Sequence, residues 1–463
     1  MMRTSHFVRA MRRAFLLCTL FVLTVGVPIY AQSSPFVEGN AQILFSLQGE
    51  AVGDNYGWVG ADLGDLNGDS IHEFATSAPF GGENGSTGSA YIYDGKSGAL
   101  LNQVKGPDGS RLGYSLANAG DVTGDSTLDY VIGAFGPTAY VSVYSGSDHT
   151  LVYTLTSPSG VLEGFGAAVN GVGDVDGDGK SDLVIGAPRA NASESLTQTG
   201  RIYLLSGVDG SVLWEKLGEF PQGQLGVGVG GVGDLEGDGV PDVVAAAPNA
   251  GPTAMGEAYV FSGKDGNLLF TLKPKEETSR SRTFGTFFAS GAGDVNADGT
   301  PDLFIGDYAA NRGEEQAVGR VYIYSGKDGA TLYVFEGTAA GDGIGPGRAV
   351  GDVNGDGYAD LAIASWQSSE GVEQGGKVYV YSGMDGSVLH EVTGAIDKDA
   401  LGVDAFGIGD VNGDSLTDYV VTAVGRSFNG EDVGHLYVIS FAPKASQLEF
   451  VSPFGSCHPI RRQ

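Results

Sequence analysis

The sequence predicts an all-β protein: a seven-bladed β-propeller closed by pairing of an N-terminal strand with the last blade. Three observations predict it. Glycine supplies 77 of the 463 residues and proline only 17, a turn-rich composition with no collagen period. A short acidic segment recurs seven times at near-constant spacing. Each copy lies among short apolar and aromatic runs bounded by turn residues, as strands and hairpins require. Apolar residues at 41% and aromatics at 10% argue against a disordered chain.

In chain order, residues 1–31 read as a secretory signal peptide. Arg3, Arg9, Arg12 and Arg13 form a basic start, Ala14 to Val27 is apolar, and Ala31 offers a small residue for cleavage. The apolar run is shorter than the ~20 residues of a membrane-spanning helix, and no second one follows. The expected product is secreted, extracellular or at the cell surface, with no membrane insertion. Cys18 falls in the signal, so Cys457 is left alone and no intrachain disulfide is expected.

The propeller is expected over residues 32–441. Its acidic segments start at Asp65, Asp121, Asp174, Asp234, Asp294, Asp352 and Asp410, between 53 and 60 residues apart. An apolar residue followed by glycine precedes each, as in Phe165-Gly166 and Phe284-Gly285; in the sixth copy Ile344-Gly345 stands closer to its loop. An apolar run such as Leu183–Pro188 comes next, then a polar loop of variable length. An alternating segment such as Arg320–Ser325, a glycine turn and a last strand such as Thr331–Phe335 complete the unit. Four short strands repeated seven times make a propeller. The last copy supplies only three strands, ending at Leu436–Phe441, and Ile43–Leu47 matches the missing fourth. Pairing the two leaves no open edge. Residues 442–463 form a polar C-terminal tail.

The net charge is −30, which repels phosphate backbones and excludes nucleic acid as a partner. Carboxylates in this excess suit hard cations. Calcium takes six to eight oxygens, and a short loop supplies them from alternate positions. Positions 1, 3, 5 and 9 of each loop carry oxygen side chains. They are Asp65, Asn67, Asp69 and Glu73; Asp121, Thr123, Asp125 and Asp129; Asp174, Asp176, Asp178 and Asp182; and Asp234, Glu236, Asp238 and Asp242. The remaining loops carry Asp294, Asn296, Asp298 and Asp302; Asp352, Asn354, Asp356 and Asp360; and Asp410, Asn412, Asp414 and Asp418. Position 2 is always Val or Leu, directed into the blade. Position 6 is Gly or Ser, as a backbone reversal with positive φ requires. Copies three, five, six and seven have the best donor sets; Glu236, Glu73 and Thr123 depart from them, and copy two ranks last. The nine-residue frame runs into a strand, unlike the twelve-residue EF-hand loop, and the scattered histidines do not suit zinc. Up to seven structural Ca²⁺ ions are expected.

With these motifs the chain resembles the FG-GAP repeat family, known from the head propeller of integrin α subunits. Phe165-Gly166 stands ahead of an acidic loop and Gly186-Ala187-Pro188 after it, and the resemblance covers about residues 40–441. It implies calcium loops between strands one and two of a blade, on a lower face. Ligands would then meet the upper face, built from strand 2–3 and 4–1 connections. Departures are Gly306-Asp307-Tyr308 and Ala364-Ser365-Trp366 in place of Gly-Ala-Pro. All seven copies carry the acidic loop, and no domain is inserted between Asp121 and Asp174. Integrin signalling and integrin partners are therefore not expected to carry over.

The upper-face loops would be Phe80–Ser89, Arg189–Gly200, Asn249–Glu257, Ala309–Gly319, Gln367–Gly376 and Gly425–Gly434. Arg189, Arg312, Trp366 and Arg426 stand out there as residue types that anchor interfaces; unremarkable exposed loop positions are the plain alternative. Gly228, Gly230 and Gly233 fit G-x-G-x-x-G but open onto an acidic loop, not a helix. Gly95-Lys96-Ser97 reads as a hairpin turn. No catalytic constellation can be nominated. The expected function is adhesion or recognition of a protein or polysaccharide ligand on the face opposite the calcium loops. A polysaccharide-acting enzyme on the same scaffold, or a purely structural surface protein, is the alternative.

Overall fold

The computed structural model describes residues 34–82, 86–160, 162–275, 282–425 and 432–441. The expected signal peptide, Arg426, Cys457 and the expected C-terminal tail lie outside them. The described residues form 28 strands in seven four-stranded antiparallel sheets. The first blade orders Gly60–Gly64, Glu73–Ala78, Ser89–Tyr93 and Leu100–Lys105 side by side, and the next five repeat that plan. The seventh sets Leu401–Gly407, Tyr419–Ala423 and His435–Phe441 beside Ala41–Gln48, paired from Ala41 opposite Phe441 to Gln48 opposite His435. The closure expected from Ile43–Leu47 is therefore present.

Burial explains the residue patterns. The second strand of a blade, such as Asp182–Ala187, is buried along its whole length, which is why it reads as an unbroken apolar run. The fourth, such as Val212–Leu217, is largely exposed and mixes charged with apolar residues. Apolar clusters span neighbouring blades: Val131 and Val143 of the second blade pack with Phe165, Leu183 and Tyr203 of the third. First strands line a central cavity of about 710 Å³. Gly228–Gly233 is one of them, and its glycines admit the backbones of adjacent first strands.

The phrases that define the repeat prove to be an interlock between blades. The glycine after the aromatic or aliphatic residue has positive φ in six blades, as at Gly57, Gly166 and Gly226. Gly226 donates its N–H to the Ala246 carbonyl in its own blade at 2.9 Å. It also backs directly onto Gly186 of the preceding blade. The same seam pairs Gly113 with Ser77, Gly166 with Gly133, Gly285 with Ala246, Gly345 with Gly306, Gly402 with Ala364 and, across the closure, Gly57 with Thr422. Seven small residues meet seven glycines around the ring.

The N-terminal segment does more than supply one strand. Phe36 is buried among Val378, Val392 and Leu401, with its ring 5.3 Å from Tyr437. The Glu38 carboxylate accepts the N–H and hydroxyl of Thr393, each at 2.6 Å. Residues 35–38 thus bind the sixth blade while residues 41–48 complete the seventh.

Candidate metal loops and the opposite face

Every acidic loop lies between the first and second strands of its blade. In six blades a register shift ends the first strand, as between Gly171 and Gly173. Such a bulge bends the strand and re-aims the loop beyond it. Position 6 has positive φ throughout, including Ser70, Ser126 and Ser415, as expected. Position 4 does too, even where it is Ala297, which gives each loop a second left-handed turn.

Positions 1, 3 and 5 shape the loop backbone. Asp174 accepts the N–H groups of Gly177, Asp178 and Gly179 at 2.7, 3.1 and 2.9 Å. Five other loops repeat the three bonds, and Asp294 accepts from Asp298 and Gly299. Asp176 accepts the Asp178 N–H at 3.1 Å, and Asn67, Asn296, Asn354 and Asn412 do the same in their loops. Thr123 and Glu236, the weak third positions, make no such bond among the described residues. Asp178 in turn accepts the Lys180 N–H at 2.9 Å.

Position 9 differs, because it is buried in every loop. Asp182 accepts the Val175 N–H at 2.8 Å with one oxygen and the Gly207 N–H at 2.9 Å with the other. It therefore ties the loop to the turn between strands three and four. Asp129, Asp242, Asp302 and Asp360 make the same bridge. Glu73 turns its second oxygen to the Asn67 amide instead, and Asp418 turns its own to Asn412. In the third loop the carboxylate oxygens of Asp174, Asp176 and Asp182 lie within 4.8 Å of one another. Among the described residues this is the acidic cluster with metal-ligand spacing, and Asp178 is not part of it.

The electrostatics divide the same way. The N–H of Gly357, followed by those of Asp356 and Gly355, holds the exposed Asp352 below its ordinary range. Burial pushes Asp242 and Asp302 up to about 6, although backbone N–H groups oppose the shift. Between about pH 4 and pH 6 the metal-free fold then binds more protons than the unfolded chain, so stability falls as pH rises. In metal-stripped protein the melting temperature is expected to rise when pH is lowered from about 7 to about 5. A lower melting temperature at the acidic end would contradict this.

The other end of the first strands carries aromatic side chains. Trp58 and Tyr114 stand 5.5 Å apart, and Phe287 reaches 6.0 Å from Trp58, although it belongs to the fifth blade. Tyr308 and Trp366, the two departures from the Gly-Ala-Pro pattern, meet edge to face at 6.4 Å and line the same cavity. Arg189 lies 4.2 Å above the Phe135 ring. Arg312 is tied inward, to Glu315 and to the carbonyls of Gly337 and Thr338. The Gly95-Lys96-Ser97 turn is capped by Asp94, which accepts the Ser97 N–H at 2.7 Å. No helix among the described residues is long and apolar enough to cross a membrane.

A ring of seven blades, each with an acidic loop after its innermost strand, defines a repeat propeller of one class. The FG-GAP repeat family matches residues 57–93, 165–205 and 349–381, and the FG-GAP-like repeat matches 294–363. These segments of the chain are FG-GAP repeats. It is similar to integrin alpha-IIb of Homo sapiens, 33% identical over 220 residues that cover 43% of this chain and 20% of that protein. It is also similar to integrin alpha-V of Gallus gallus, at 32% over 216 residues covering 44% and 21%. With integrin alpha-PS2 of Drosophila melanogaster the figures are 31% over 225 residues, 44% and 16%. The matched region spans about a fifth of the length of these relatives.

Proposed function

We infer that this chain is a calcium-stabilised recognition module: Ca²⁺ is held in the acidic loops, and a protein or polysaccharide ligand is met by the opposite face. The observation that carries the reading is the division of labour between the two ends of the first strands. One end is committed seven times over to acidic loops, while the other gathers Trp58, Tyr114, Phe287, Tyr308 and Trp366 around an open cavity. The donor chemistry fits calcium. Oxygens at 2.3–2.6 Å from one ion lie no more than about 5 Å apart, and those of Asp174, Asp176 and Asp182 meet that limit. The ions act on the fold, because in five blades position 9 connects the loop to the hairpin beyond it. The similarity to integrin α chains supports adhesion as the broad role, outside the cell or at its surface.

The test is binding of the full chain to an array of glycans and matrix proteins in millimolar Ca²⁺, with a chelated duplicate. Specific hits that vanish on chelation are expected. Silence in both conditions overturns recognition and leaves a structural role.

A further inference from the structure

Resting on that reading, we propose that Arg111 and Arg189 form a subsite for an acidic sugar, such as a uronic acid at the end of a glycan. The two arginines come from adjacent blades and flank a pocket of about 250 Å³ with Phe135, Pro137 and Leu162. It opens on the face opposite the acidic loops. Both guanidinium groups are set by aromatic rings: Arg189 lies 4.2 Å over Phe135, and Arg111 lies 5.5 Å over Phe80. Arg111 is also fixed in its backbone, with φ of 52° and its N–H donated to Ser86 at 2.8 Å.

Both also lack carboxylate partners. Arg201, Arg312, Arg320 and Arg348 each pair with an acid. Among the described residues neither Arg111 nor Arg189 does, in a chain with 56 acidic residues against 26 basic ones. The nearest acid in sequence to the pocket wall, Glu163, turns inward and accepts the hydroxyls of Ser157 and Tyr203, each at 2.5 Å. Two ordered, unpaired guanidiniums present forked donors suited to a carboxylate. Leu162 is 80% exposed at the rim, an apolar edge without a cover. Tyr114 lies 4.7 Å from Phe135 and 5.5 Å from Trp58, so a run of aromatic rings leads from the pocket wall toward the mouth of the cavity. A carboxylate beside aromatic faces is the complement of an acidic pyranose followed by further sugar rings. The overall negative charge disfavours a long polyanion, which leaves a terminal acidic sugar.

The test is calorimetric titration of the full chain in calcium with a trisaccharide ending in glucuronate, and with its counterpart ending in glucose. The acidic trisaccharide is expected to bind at least about tenfold more tightly, as a charge-assisted hydrogen bond allows. Arg189→Gln and Arg111→Gln are expected to remove that advantage without moving the melting temperature. Equal affinity for the two sugars overturns the subsite. So does tighter binding of an aspartate-containing peptide through the same arginines, which would make the ligand a protein. Array hits that both variants retain overturn the subsite and leave the recognition reading standing, whereas silence toward every ligand overturns both.

Discussion

Removal of divalent cations is expected to lower the melting temperature by more than about ten degrees. An ion that binds only the folded state at a hundred times its dissociation constant adds about 2.7 kcal/mol per site. In a domain this large each kcal/mol moves the midpoint by about 2–4 °C, so a few occupied loops suffice. The geometry makes the sites cooperative with the fold. Asp182 and its counterparts hold the strand 3–4 turn, so a slackened loop loosens three strand ends together. Without the cation the convergent oxygens of Asp174, Asp176 and Asp182 repel one another. Scanning calorimetry before and after chelation, with metal content measured on the same samples, decides the matter. A melt that stays put once the metal is shown to be gone would sink the structural role of calcium, and restoration by Ca²⁺ is the expected companion result.

The second large effect concerns the seam between blades. Gly186→Val is expected to destabilise the protein by about 3 kcal/mol or more, the upper range for overpacking a site that cannot relax. A Cβ at Gly186 runs into the Gly226 carbonyl, and Gly226 is held in turn by its bond to Ala246. The clash can be relieved only by parting blades three and four. Ser77→Ala at the equivalent place in the first blade keeps the Cβ already accommodated there, and is expected to unfold at nearly the wild-type urea concentration. A wild-type unfolding curve for the Gly186 variant would show that the seam yields, and that the small residues there are not required.

Much of this was legible in the sequence. Seven acidic segments at even spacing gave the blade count, and a last copy one strand short, with a matching strand at the front, gave the closure. Periodicity reveals these because each is repeated. What sequence reading missed is what happens once, or depends on where backbones meet. Phe36 and Glu38 precede the first recognisable strand and fit no repeat, so the packing of Phe36 and the grip of Glu38 on Thr393 had no signal. Phe287 reaches across the cavity to Trp58 from the fifth blade, a meeting no local pattern encodes. Position 9 looked like one more ligand among four; its burial and its bond to a glycine some two dozen residues away make it a tie within the blade as well. The left-handed turn at position 4 did have a signal, since six of the seven residues there are glycine. Of the four anchors singled out on the upper face, Arg189 and Trp366 line cavities and Arg312 is tied inward, while Arg426 lies outside the described residues.

The closing strand also sets a timetable. A chain is made from its N-terminus, so Ala41–Gln48 is the first propeller strand to emerge and waits for His435–Phe441, which follows all the other blades. Until then the strand has a bare edge, and the segment that grips Thr393 has nothing to hold. Six blades can form in succession as they are synthesised, each from local hairpins, but the circle shuts only when the final hairpin arrives. Contacts this distant in sequence are slow to form, and an edge that stays open is exposed to pairing with another chain. Assembly of the ring therefore hinges on its closing hairpin, and a translation product interrupted before it would be an unclosed arc with a free strand at each end.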